Sequence, residues 1–198
     1  MNITKLSILF CTYFSIINGA ALYTNNGTNY IIRKTTIEDS TSLLLLYKKV
    51  ASTGGFLVRI EDEITQDYID KITYQGVNNG LALVVEYNGK IIGSMIKYKL
   101  KPKIFSHVLT EGSILVDPDF QRQGIGSNLI STFLKEVENN HTTILRVEII
   151  TRESNPAINL YEKLGFKKEG RFEKRIGNTT KDFEADIPMV WFNPNFKT

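Results

Sequence analysis

The stretch Ile114-Leu115-Val116-Asp117-Pro118-Asp119-Phe120-Gln121-Arg122-Gln123-Gly124-Ile125-Gly126-Ser127 constrains the fold more than any other part of the chain. An apolar strand ends at Asp117-Pro118, because proline cannot donate to a sheet ladder. Ile125, Leu129, Ile130, Phe133, Leu134 and Val137 then fall on one stripe, which predicts an amphipathic helix over 125–137. Gly124 and Gly126 stand where that helix begins. The first turn of a helix has unpaired N–H groups and a partial positive charge. Without Cβ atoms in the way, a phosphate can lie directly on those donors, and Arg122 adds a full charge beside them. The segment is built like a pyrophosphate cradle. A P-loop would need a lysine after its glycines, and a dinucleotide fingerprint would need a third glycine where Leu129 stands. The plainer alternative is an ordinary helix start with two flexible glycines.

Around this segment the periodicity alternates between strand and helix. Tyr30–Lys34 reads as a strand, Ile37 to about Val50 as a helix broken by Thr53-Gly54-Gly55, and Glu63–Tyr74 as a second helix. Leu81–Tyr87 and Ile91–Leu100 read as strands joined by the hairpin signal Asn88-Gly89. Val108–Val116 and Thr143–Ile150 are further strands. Pro156–Leu164 is a short helix capped by Gly165, and Phe166–Ile176 and Phe183–Phe192 close the chain as strands. The order β-α-α-β-β-β-α-β-α-β-β predicts an α/β (α+β) domain with one mixed sheet flanked by helices.

Composition removes several classes. The 24 basic residues exceed the 21 acidic ones by only three, too mild a surplus for a dedicated nucleic-acid binder. Cys11 is the only cysteine and His107 and His141 are far apart, so neither a disulfide nor a His/Cys metal site is expected. Residues 1–21 contain one charge, Lys5, then the uncharged run Leu6–Ile17 and the small residues Gly19-Ala20-Ala21. That order matches a signal peptide, and the run is too short to span a bilayer. The alternative is an apolar extension lying on the core or at a membrane surface. Residues 22–29 read as a polar linker, with 30–198 as the folded domain. Asn26-Gly27-Thr28 and Asn178-Thr179-Thr180 match the glycosylation acceptor pattern.

A second segment, Arg152-Glu153-Ser154-Asn155-Pro156-Ala157-Ile158-Asn159-Leu160-Tyr161-Glu162-Lys163-Leu164-Gly165-Phe166, has a bland local account: a cap, a first-turn proline and a packed tyrosine. Taken with the glycine loop, it resembles the GNAT superfamily of N-acetyltransferases over residues 30–192. The motifs are closest to the ribosomal-protein alanine and small-amine branches. The resemblance implies acetyl-CoA as co-substrate, no metal, an amine acceptor, no nucleic-acid partner and a monomer or homodimer. By position, Ile114, Leu115 and Val116 would pair with the pantetheine arm between two splayed strands, and a main-chain N–H near Val116 would polarise the thioester. Arg122, Gln123, Gly124, Ile125, Gly126 and Ser127 would hold the pyrophosphate, Asn155 would bond the pantetheine and Tyr161 would protonate the departing thiolate. Asn155 to Tyr161 is six steps where the family has seven, so Ser154 competes with Asn155 for its role.

Acetyl transfer needs a neutral amine, a polarised thioester and a proton for the thiolate. Glu148, on the strand before Asn155, is the carboxylate expected to take the amine's proton, with Glu111 as the other candidate. Both have the bland reading of solvated or salt-bridged strand charges. A catalytically silent acyl-CoA-binding regulatory module is the competing reading. Acetyl-CoA implies the cytoplasm, whereas the apolar N-terminus implies export.

Overall fold

The computed structural model of the protein describes residues 16–17, 20–25, 28–54, 57–177 and 182–197. Cys11, most of the apolar run read as an export signal, Gly55, Asn26-Gly27 and Asn178-Thr179-Thr180 lie outside the described residues.

In chain order the elements are β1 (Ile16–Ile17), β2 (Ala20–Asn25), β3 (Thr28–Lys34), α1 (Ser40–Ser52), α2 (Gln66–Asn79), β4 (Gly80–Tyr87), β5 (Lys90–Tyr98), β6 (Val108–Leu109) and β7 (Glu111–Val116). There follow α3 (Ile125–Asn140), β8 (Arg146–Arg152), α4 (Ile158–Lys163), β9 (Lys167–Lys168), β10 (Phe172–Gly177) and β11 (Phe183–Phe192). They build a mixed α/β domain, as the patterning implies, but its strands divide between two sheets. One runs β1-β2-β3-β4-β5-β7, and the other runs β10-β11-β8-β6 with β9 also on β11.

Local chemistry accounts for most boundaries. The Arg33 guanidinium grips Asp39 through two bonds of 2.8 Å and reaches Glu86 at 2.8 Å. Asp39 in turn accepts from the Thr36 N–H at 2.8 Å, so the β3–α1 corner is fixed by one carboxylate. Asn88 (φ 48) and Gly89 (φ 73) form the two-residue turn of the β4–β5 hairpin, as their sequence predicts. At the end of α4, Gly165 takes φ 93, its N–H reaches the Glu162 carbonyl, and the Phe166 N–H reaches the Tyr161 carbonyl at 3.0 Å. The rings of Tyr161 and Phe166 stack obliquely at 6.0 Å, completing a Schellman stop.

Several expectations shift. The segment 22–29 is no linker: β2 pairs with β3 from Ala21↔Ile32 to Asn25↔Thr28, because backbone pairing at a sheet edge does not require an apolar pattern. The acids Glu61–Glu63 form a separate 3-10 turn, and α2 starts at Gln66, where the Thr65 hydroxyl caps the Tyr68 N–H. Strand β8 begins at Arg146, later than Thr143, because the Ile144 N–H turns back to His141. The run 166–176 divides into β9 and β10. The run 108–116, expected as one strand, breaks at Thr110.

Two cores sandwich the larger sheet. On one face, Leu43, Leu46, Tyr47 and Val50 of α1 with Ile69 and Ile72 of α2 cover Ala82, Val84, Ile96 and Leu115. On the other, the stripe of α3 predicted from the sequence packs against Leu81, Leu83, Val85 and Met95 together with Val147, Ile149, Ile187 and Met189 of the smaller sheet. Helix α3 therefore lies where both sheets meet and fixes the glycine loop before it.

Replacing Gly165 by alanine is expected to destabilise the protein by about 1–2 kcal/mol, the cost of a Cβ in the left-handed region. The added Cβ itself meets only Trp191, at 3.4 Å. Urea unfolding of the variant measures this, and an unchanged midpoint would refute it.

Candidate active site

The ladder between β6 and β8 is parallel and short, ending at Leu109↔Val147. Beyond it the chain pairs only with β5, from Tyr98↔Glu111 to Gly93↔Val116. The two sheets therefore part as a wedge between β7 and the second half of β8. Glu111 and Gly112 are exposed, and Ser113, Ile114 and Val116 are half-buried, on the last strand of the larger sheet. The Asp117 N–H reaches Ile92 of β5 at 2.8 Å. By the two-residue alternation of a strand, the backbone groups of Ile114 and Val116 face the other way, into the wedge. The Val116 carbonyl accepts there from Gln121 Nε2 at 3.1 Å. Leu115 behaves differently from its neighbours: it pairs with Ser94 and buries its side chain against α1 and α2. It anchors the strand, and Ile114 and Val116 supply the open edge. An unpaired strand edge is a template for an extended ligand.

The glycine loop follows directly. The Asp117 carboxylate accepts from the Asp119 N–H at 3.0 Å, capping the turn Pro118–Phe120. Lys49 Nζ reaches across from α1 to Asp117 and Asp119, each at 2.7 Å. The backbone then takes left-handed values at Arg122 (φ 60) and Gly124 (φ 79). Gly124 is the N-cap of α3 without a side-chain cap, and the first intrahelical bond runs from the Asn128 N–H to its carbonyl at 3.0 Å. The N–H groups of Ile125, Gly126 and Ser127 thus precede the helical ladder. Ile125 is buried, so it contributes its N–H while its side chain anchors α3. A Cβ on Gly126 would meet only Val116 Cγ2, at 3.7 Å, so the protein's own packing does not demand glycine there. Arg122 is exposed and bonded to no described residue, while Gln123 donates weakly to the Asp119 carbonyl at 3.4 Å. Open helix donors, a bare Cβ position and a free guanidinium suit a pyrophosphate.

On the other side of the wedge, Asn155 is half-buried. Its Nδ2 donates to Thr151 Oγ1 at 2.7 Å and its Oδ1 accepts from the Ala157 N–H at 2.9 Å. Ser154 is exposed and donates to Glu184 at 2.6 Å, so the two residues left open by the spacing have different surroundings. Tyr161 is 6% exposed, within the core that α3 and α4 share. Its hydroxyl bonds no described residue. Burial pushes its pKa up to about 12, so the phenol stays a proton donor throughout the physiological range.

The carboxylates differ as well. Glu148 is paired with Arg146 at 2.8 Å, and Arg146 also engages Glu169. Glu111, at the exposed edge of β7, is bound by no ion pair to a described residue. It lies beside Tyr98, whose pKa is raised by burial and by the Glu111 charge, with Tyr68 and Arg59 close by. Sequence patterning overlooks Tyr47, whose hydroxyl bonds Ser113 beneath this edge, and Lys49. Nothing in a helical period marks either as more than core or surface. Among the described residues, no group of three His, Cys, Asp or Glu side chains could hold a metal, and no helix is long and apolar enough to cross a membrane.

Known proteins resemble this chain in sequence and fold. A [Ribosomal protein bS18]-alanine N-acetyltransferase of Escherichia coli is 46% identical over 79 residues, which are 39% of this chain and 51% of that protein. The chain thus spans about half the length of the first curated relatives it matches. N-alpha-acetyltransferase 30 of Dictyostelium discoideum is 35% identical over 126 residues, 62% of this chain and 66% of that protein. The structure of yncA from Salmonella typhimurium, solved with its cofactor acetyl-CoA, has the same fold, with a TM-score of 0.73 at 18% identity, covering 86% of this chain and 98% of that one. The model of the Acetyltransferase (GNAT) family matches residues 48–166, a span that takes in the open strand, the glycine loop and Tyr161, and the chain belongs to that family.

Proposed function

We propose that the protein transfers an acetyl group from acetyl-CoA to a primary amine, by direct attack of the amine on the thioester. The observation that carries this reading is the open edge of Ile114 and Val116 running straight into the uncapped start of α3. One extended molecule ending in a pyrophosphate matches both. In this reading the arm adds to the edge as a strand would, the N–H groups of 124–127 with Arg122 take the phosphates, and Asn155 orients the arm from β8.

The reaction forms a C–N bond and breaks a C–S bond. The amine gives up a proton to a carboxylate, and the departing sulfur takes one from Tyr161. Tyr161 supplies the hydrogen bond to the sulfur, its phenol held protonated by burial. A carboxylate on the wedge takes the amine's proton, directly or through water. Glu111 is better suited than Glu148, because Arg146 already occupies Glu148. The acceptor is a small molecule, an amino acid or a protein N-terminus. The names of the two curated relatives, an alanine N-acetyltransferase and an N-alpha-acetyltransferase, favour an α-amine. An α-amine with pKa ~8 is partly neutral near neutral pH, whereas a lysine side chain at ~10.4 is mostly charged. The need for acetyl-CoA favours a cytosolic reaction over export.

Three variants test these roles. Gly126→Val should keep the fold but lower CoA affinity at least about tenfold in calorimetry, since the branch stands where a phosphate lies. Equal affinity would leave that glycine no part in binding. Tyr161→Phe should keep CoA affinity while kcat at saturating acetyl-CoA falls roughly 10²-fold. A kcat within about threefold of wild type would assign Tyr161 to packing. Glu111→Gln should lower kcat/KM for an α-amine acceptor by roughly 10²-fold and Glu148→Gln by far less; the reverse order would return the base to Glu148. A wild-type protein that binds CoA without turning over any amine in a panel of amino acids, peptides and small amines would support the silent module.

A further inference from the structure

Lys97 has no part in the roles assigned above. It lies on β5, directly opposite Gly112, and is 4% exposed. Burying an ammonium is costly unless its donors are satisfied, and a methionine would fill similar space without that cost. No carboxylate of a described residue contacts it. Glu111 and Glu148 act on it from either side of the wedge, at longer range, and burial holds its pKa down to about 8. Among the described residues, its hydrogen bond goes to the Thr110 carbonyl, at 2.7 Å.

Thr110 is the residue at which the chain changes ladders. Leu109 is the last residue paired with β8, and Glu111 is the first paired with β5 by register. The Thr110 N–H already goes to the Tyr98 carbonyl at 3.2 Å. Its carbonyl falls between the two ladders, and a buried carbonyl without a donor is costly. Lys97 supplies that donor. Gly112, across from it, takes φ 107, and a Cβ there would stand 2.1 Å from the Ile96 carbonyl oxygen. The fork is thus fixed on both sides of Glu111, by a side-chain cation reaching back and by a glycine that no other residue can replace.

We propose that Lys97 is a positioning residue for the cofactor arm: by holding the Thr110 carbonyl at the fork, it keeps β7 parted from β8 and sets the Ile114 and Val116 edge in place for binding. The inference rests on reading the wedge as the acyl-CoA slot. In Lys97→Met the orphaned carbonyl is satisfied only if the strand shifts, which deforms the edge. Calorimetry with CoA, steady-state kinetics and thermal unfolding of the full chain test it. Kd for CoA and KM for acetyl-CoA should rise about tenfold or more, while kcat at saturation stays within about threefold. Lys97→Arg, which keeps a donor, should recover most of the affinity. A Lys97→Met protein that loses thermal stability but binds CoA as the wild type does would overturn the proposal, leaving Lys97 a purely structural role. Where Lys97→Met fails to fold, Lys97→Gln, whose amide falls short of Thr110, is held to the same outcomes. A wild-type protein that binds no CoA would overturn the reading of the wedge and this inference together, and is told apart from the other result by that one measurement.

Discussion

The structure turns on one exchange of hydrogen-bond partners. At Thr110 the chain stops pairing with β8 and continues with β5 alone. Had both ladders continued, the sheet would be closed and no backbone would be free to meet a ligand. Because they do not, each sheet twists away on its own, and β7, the last strand of the larger sheet, keeps an open edge. Open edges are usually liabilities. Here the edge is flanked by two packed sheets, so it accepts an extended molecule while a second copy of a sheet cannot approach it easily.

Rigidity around the wedge comes from packing behind its walls. Helix α3 contributes its stripe to a core shared by both sheets, so the start of the helix cannot move without disturbing Phe133, Leu129 and their neighbours. Ile125 pins the first turn, and Lys49 ties Asp117 and Asp119 back to α1. The loop between these anchors can carry left-handed values at Arg122 and Gly124 because both its ends are held.

Electrostatics divides the wedge by role. The loop side offers N–H groups and Arg122, suited to an anion. The side toward α1 and α2 offers Glu111 with Tyr98 and Tyr68 nearby, suited to an amine. Tyr161 stands apart from both sets, protonated because it is buried. In the proposed reading, one molecule bound along the strand edge meets a positive end, and an amine acceptor meets a negative one.

Elements whose reasons are local are legible in the chain alone. The glycine loop, the stripe of α3, the Asn88-Gly89 hairpin and the Gly165 stop were all legible, because neighbouring residues fix their dihedrals and periods. The same holds for the backbone form of the two motif segments, a loop opening α3 and a short helix after Asn155, though not for the roles of their residues. What no local pattern could supply was decided by tertiary structure. The run 108–116 has a single strand-like pattern, and its break at Thr110 exists only because two different strands compete for it. Lys97 stands within a strand pattern as one polar residue, and its burial follows from the fork above it. Pairing of β2 with β3 rests on backbone groups that every residue carries, so a polar sequence concealed it. The difference in standing between Glu148 and Glu111 likewise arose from Arg146 finding one carboxylate and not the other. Dihedrals and periods are properties of a segment; ladder partners, burial and ion pairing are properties of what the fold brings against it.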